Sequence, residues 1–227
     1  MFGKLLSRLG VASSTQSIAR AAHGPYRNAA VDRIYTMLFC DAPGAFAPAD
    51  GATPAAWQSM LFTDSPDAAA VRALADDAHA ESRVRALAFG RLRAMGEAVA
   101  PKTLLGVVVE VPLEGGLDTL AAYVDGSVRY INRTGRLSIF EGGVEAIAPA
   151  ARALLEASRA VVARIGPWDK PRLPPPTAGN IRLSFIVSDG LYFGEGPMSV
   201  MEREPLAGPV IERAGALLQR VVAMAIQ

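Results

Sequence analysis

Arg129, in S-V-R-Y-I, and Arg182, in I-R-L-S-F-I-V, lie in runs where apolar and polar residues alternate. In a strand every second side chain points to the same face. A guanidinium presents five N–H donors in a planar fork that matches a carboxylate or phosphate. Ser138 and Ser184 stand in alternating runs of the same kind, and alternation adds Glu110. Arg129, Arg182, Ser138 and Ser184 are therefore expected to share a polar sheet face able to bind a small anion or metabolite. The competing reading is a solvated ladder of arginine and glutamate, which binds nothing.

A second candidate is S-D-G-L-Y-F-G-E-G-P, Ser188 to Pro197, with three glycines, two carboxylates and two aromatics in ten residues. Tyr192, Glu195 and the glycine amides would form a ligand lip, since loops held by a scaffold often bear function. The spacing is not G-x-G-x-x-G opening a helix, and no G-K-[ST] follows, so neither a dinucleotide nor a P-loop phosphate site is supported. The competing reading places Asp189-Gly190 as the turn of a hairpin.

Catalysis has little to work with. Cys40 is the single cysteine, and His23 and His79 are the two histidines, in Ala-rich surroundings without a motif. No catalytic residue, metal site or cofactor is expected. Asp118, Asp125, Glu141, Asp189 and Glu195 sit at strand or turn ends, where carboxylates do acid–base chemistry or simply make turns. The chain reads as more suited to binding than to catalysis, with no reaction class preferred.

These residues need elements to position them. In Asn28 to Phe39, Val31, Ile34, Tyr35, Leu38 and Phe39 recur at helical spacing. Residues 41–56, rich in Pro and Gly, read as a loop. Ser65-Pro66-Asp67 opens a helical region to about Gly96, with a break predicted near Asp76 to His79. From Leu104 the pattern becomes strands. Asp125-Gly126 and Thr134-Gly135, taken as two-residue turns, put Tyr123 opposite Val128 and Arg129 opposite Phe140. One face then holds Tyr123, Val128, Tyr130, Leu137 and Ile139, and the other Ser127, Arg129, Ser138 and Phe140. Apolar periodicity predicts two long helices, over Val144 to Ile165 and from Leu206 to Val222. P-W-D-K-P-R-L-P-P-P-T-A-G between them reads as a stiff crossover to the sheet, with a recognition peptide as the alternative.

The expected fold is α+β: a helical N-terminal part, then an antiparallel sheet with two long helices packed on one face in two layers, the polar face being open. Three regions follow: a basic amphipathic arm (1–22), a helical region (23–100) and the α+β sheet domain (101–227). The order of elements is similar in topology to that of bacterial secretion chaperones that bind unfolded client segments, although no motif carries the likeness and the charge departs from their acidity.

The chain has 227 residues, 51% of them hydrophobic and 20% charged, which suits a globular protein with a sizeable core. A formal net charge of +1 gives no field for nucleic acid. Lys4, Arg8, Arg20 and Arg27 precede the first acid, Asp32, so the basic excess lies in the arm. Residues 1–22 read as a terminal helix, a weak membrane-surface tether or a targeting peptide. The Ala- and Arg-rich body suits a bacterial, cytoplasmic protein. With no catalytic motif, the function expected first is protein interaction, with a protein partner or as a homodimer; binding of a small anion or metabolite is the second expectation.

Overall fold

The computed structural model describes residues 24–225, so the arm of residues 1–22 and His23 lie outside the described residues. Four helices come first: α1 (Ala29–Met37), α2 (Ala56–Leu61), α3 (Ala68–Asp76) and α4 (Ser82–Ala94). Strands β1 (Leu104–Leu113), β2 (Gly116–Tyr123), β3 (Val128–Ile131) and β4 (Leu137–Phe140) follow. Then come α5 (Ala148–Val162), β5 (Asn180–Val187), β6 (Gly190–Pro197), a short α6 (Met198–Met201) and α7 (Ala207–Ala225). No helix among the described residues is long and apolar enough to cross a membrane.

Local chemistry sets the helix ends. The Asn28 side chain accepts from the amides of Ala30 and Val31 at the start of α1, satisfying donors that a helix leaves orphaned. At α3 the cap is Asp67, which accepts from the Ala69 amide. Residues 41–56 hold a short 3-10 turn (Pro43–Phe46) within the expected loop.

The six strands form one antiparallel sheet in the order β4-β3-β2-β1-β5-β6. Central β1 reads V-V-V without alternation because both of its faces are buried. Val107, Val109 and Val111 face α5 and α7, meeting residues such as Leu154, Val162, Val210 and Leu217. The two long helices thus pack on one face, as their periodicity predicts.

The opposite face is not open. Val108, Ala121, Tyr123 and Ile186 are buried against Tyr35, Phe39, Leu87 and Leu92 of the N-terminal helices. The apolar stripes of α1 and α4 needed a surface to cover, and this face of the sheet supplies it. Gly106 belongs to this packing, since a Cβ there would stand 2.6 Å from the Tyr123 ring.

The hairpins also differ from the expected register. At the β2–β3 turn the Tyr123 amide donates to the Ser127 carbonyl and the Gly126 amide to the Tyr123 carbonyl. Gly126 has φ +85, while Asp125 is not in the positive-φ region. This is a three-residue loop ending in a left-handed glycine, not a type I′ turn, which needs positive φ at both central residues. The β3–β4 turn repeats it, with Gly135 at φ +86. Ala122 therefore faces Val128, and Arg129 faces Ile139. A one-residue slip exchanges faces: Tyr123, Leu137 and Ile139 join Arg129, whereas Ser138 and Phe140 lie with Tyr130 on the side of the long helices.

Candidate functional site

The predicted site residues divide between the two faces. Arg182, Ser184 and Glu195 share the face under the N-terminal helices, with Arg129 further along it. Ser138 and Tyr192 lie on the other side of the sheet. No single site unites the six.

Arg182 is 3% exposed and bound from several directions. Its Nε and Nη2 donate to Glu195 Oε2 at 2.8 and 2.6 Å, and its Nη1 lies 3.7 Å from Glu110 Oε2. Nη1 and Nη2 also donate to the carbonyls of Leu173 and Pro174 at 3.1 and 2.6 Å. The arginine fastens the proline-rich strap, residues 167–176, across the sheet. Beside it Glu110, wholly buried, accepts from the Tyr35 hydroxyl at 2.6 Å. Burial raises the Glu110 pKa, with the Tyr35 bond and the Arg182 charge opposing. Burial likewise pushes the Tyr35 hydroxyl upward. These groups form a buried network that joins the helical layer, the sheet and the strap.

Arg129 is similarly occupied: Nη2 pairs with Glu141 at 3.2 Å, and Nη1 donates to the Phe140 carbonyl at 3.2 Å. The Ser184 hydroxyl is buried without a hydrogen-bond partner among the described residues. Tyr192 is buried and donates its hydroxyl to Asp189 at 2.8 Å, while Glu195 belongs to Arg182, so the expected lip does not form. The Ser188–Asp189 turn is a latch. The Ser188 amide donates to the Thr103 carbonyl at 3.0 Å, and the Lys102 amide to Asp189 at 3.2 Å. Asp118 is likewise structural, accepting from the Tyr130 hydroxyl at 2.9 Å and the Arg133 amide at 2.6 Å.

A different region remains open to a ligand, and sequence reasoning missed it. A cleft of about 960 Å³ lies between the C-terminal half of α4, residues 40–44 and 61–64, the start of the strap and the β5–β6 turn. Leu87, Gly90, Arg91 and Ala94 line it at helical spacing, so one stripe of α4 forms a wall. Trp168 lines the facing wall, fixed by its amide bond to the Leu191 carbonyl at 2.8 Å and by an edge contact with Phe193, ring centroids 5.0 Å apart. Arg172 ties the strap to the other side: Nε meets Asp41 at 2.7 Å and the guanidinium lies 3.9 Å over the Phe39 ring. Cys40 lines the cleft at φ +57, and burial raises its thiol pKa, which disfavours the thiolate. The sequence signals were Arg91 and Arg93 at a helix end and the Trp168–Arg172 run. Nothing in their local spacing says that they meet.

No group of three or more His, Cys, Asp or Glu side chains among the described residues could hold a metal ion. Compared with known proteins, the chain matches no protein family, no curated protein and no solved structure, and the topological likeness to secretion chaperones therefore carries no argument.

Proposed function

We propose that this chain is a small-molecule-binding protein and that the cleft beside α4 is its site. The observation that supports the reading is the cleft itself, about 960 Å³ of space whose walls come from five separate parts of the chain. Ligand sites occupy roughly 300–1,000 Å³. This cleft lies where the N-terminal helical layer, the strap and the end of the sheet come together. Apolar groups line much of it, with a few cations among them, and the strap wall is pinned at Trp168 and Arg172. A pre-formed wall reduces the ordering cost of binding. The anion- or metabolite-binding expectation thus moves from the sheet face to the cleft, because Arg129 and Arg182 are committed to carboxylates inside the protein.

The test uses N-phenyl-1-naphthylamine, a neutral fluorescent probe. It should bind the full chain at one saturable site, and Gly90→Trp should block it, because a side chain at Gly90 enters the cleft with only Arg93 Nη2 near its Cβ, at 3.7 Å. Unchanged binding in a folded Gly90→Trp variant sinks the reading.

The protein-interaction expectation rests on a smaller feature and stands second. Ile139 is 50% exposed on edge strand β4, which has an unpaired side. A chain that self-associates there should become monomeric in sedimentation on Ile139→Lys; a monomeric parent removes the homodimer.

A further inference from the structure

We infer that the cleft takes a small anion with an apolar body, such as an aryl carboxylate or aryl phosphate, and that Arg91 and Arg93 hold its charged group. The inference rests on the cleft reading above and names the ligand class.

The protein does not treat its arginines alike. Arg182 is given two carboxylates and two carbonyls, Arg129 a carboxylate and carbonyls, and Arg172 the Asp41 carboxylate. The two cleft arginines receive far less. Arg91 Nη2 donates to the Thr63 carbonyl at 2.8 Å, and Arg93 Nη1 donates to the Ser188 carbonyl. Neither is ion-paired to a carboxylate among the described residues. Each guanidinium has five N–H donors, and among the described residues each arginine donates to one carbonyl. The Arg91 Nε is buried without an acceptor among the described residues.

The acids on the cleft do not fill this role. Asp41 is spent on Arg172, and Asp189 accepts from Tyr192 and the Lys102 amide. Asp64 and Asp169 are exposed on the rim, as is Lys170. Although Arg93 as a residue is exposed, burial around its guanidinium lowers its pKa, with Asp189 opposing. A cation partly withdrawn from water gains more from an anionic acceptor than a solvated one does. A position in the last turn of α4 favours arginine through the helix dipole, but that effect does not require the side chains to line a cleft.

The apolar body has its own surfaces. Leu87, Phe62, Leu191 and the Trp168 ring line the same space. Gly90 and Ala94 leave the helix wall low between the arginines, so a planar group can approach the helix.

The experiment compares 8-anilinonaphthalene-1-sulfonate, an aryl anion, with neutral N-phenyl-1-naphthylamine on the full chain. The anion should bind about tenfold tighter or more. The R91Q/R93Q variant should lose about tenfold in affinity for the anion and retain affinity for the neutral probe within about twofold. R91K/R93K keeps the charge and should retain most anion binding, which separates charge from any loss of fold. Benzoate, but not benzamide, should compete with the anionic probe. Equal affinity of the parent for both probes, or an unchanged R91Q/R93Q, overturns the anion inference and leaves the cleft reading intact. Failure of both probes to bind the parent overturns both.

Discussion

Asp125 sits in a hairpin turn, yet its carboxylate serves a helix. Oδ2 accepts from the Ser82 amide at 2.7 Å and Oδ1 from the Ser127 amide at 2.8 Å, while the Asp125 amide donates back to Ser82 Oγ at 3.0 Å. The residue supplies the first turn of α4 with an acceptor from a distant part of the chain, and so joins the helical layer to the sheet. Burial opposes its ionisation, but the hydrogen bonds from Ser82 and Ser127 outweigh burial and hold its pKa below the usual carboxylate range. A group whose folded pKa is depressed contributes stability above its unfolded pKa, and that contribution is lost as pH falls through the folded value. Asp125→Ala should therefore be destabilised by about 1 kcal/mol or more at pH 7, and the gap from the parent should begin to narrow as pH falls below about 4. Denaturant melts at pH 7 and pH 3 read this directly, and a gap unchanged by pH would remove Asp125 as a charged cap. The Asp-Gly turn was legible in the sequence. Its partner, 43 residues upstream, was not, because the capping box rule looks only three residues ahead.

At the scale of elements, the proline-rich strap is the expected crossover from α5 to β5, and the tertiary structure shows how it is held. Proline leaves a chain with few amide donors, so a proline-rich crossover must be held largely through its carbonyls and side chains. Arg182 takes the carbonyls of Leu173 and Pro174, Arg172 reaches Asp41, and Trp168 packs on Phe193. Arg182→Met should cost about 3–5 kcal/mol, because it strands Glu110 and Glu195 without their shared cation. Glu110→Gln keeps an acceptor for Tyr35 and should cost only about 1 kcal/mol. Equilibrium unfolding of the two variants compares them, and equal losses would show that the arginine is not the centre of this network. The stiffness of the strap was readable from P-W-D-K-P-R-L-P-P-P. Its placement against the cleft was not, since Asp41, which Arg172 reaches, lies 131 residues earlier in the chain.

At the scale of the whole molecule, the boundary near residue 100 marks a change of element type more than a break in the core. Val108, Ala121, Tyr123, Ile131 and Ile186 of the sheet are buried in one cluster with Tyr35, Phe39 and Leu92 of the helical layer. Residues 101–227 expressed alone should expose this apolar face and lose cooperative unfolding or self-associate; a monomeric fragment that unfolds cooperatively would show that the sheet domain stands by itself. Sequence alone determined the α+β class, the helices α1, α3 to α5 and α7, the strands and the pairing of two long helices with one sheet face. Those features follow from periods of 3.6 and 2 and from Gly and Pro positions, all of which act within a few residues. Only the tertiary structure decided the hairpin registers, which a single extra loop residue shifts, and with them which residues shared a face. It also decided that Arg129 and Arg182 belong to the interior. Charge patterning along a strand tells where a side chain points, but whether water or another layer waits there depends on other parts of the chain: the strap carbonyls take Arg182, and Tyr35 of α1 meets Glu110 beside it from 75 residues away. The cleft is a product of the same long-range packing: its walls come from five separate parts of the chain, and no local rule brings them together.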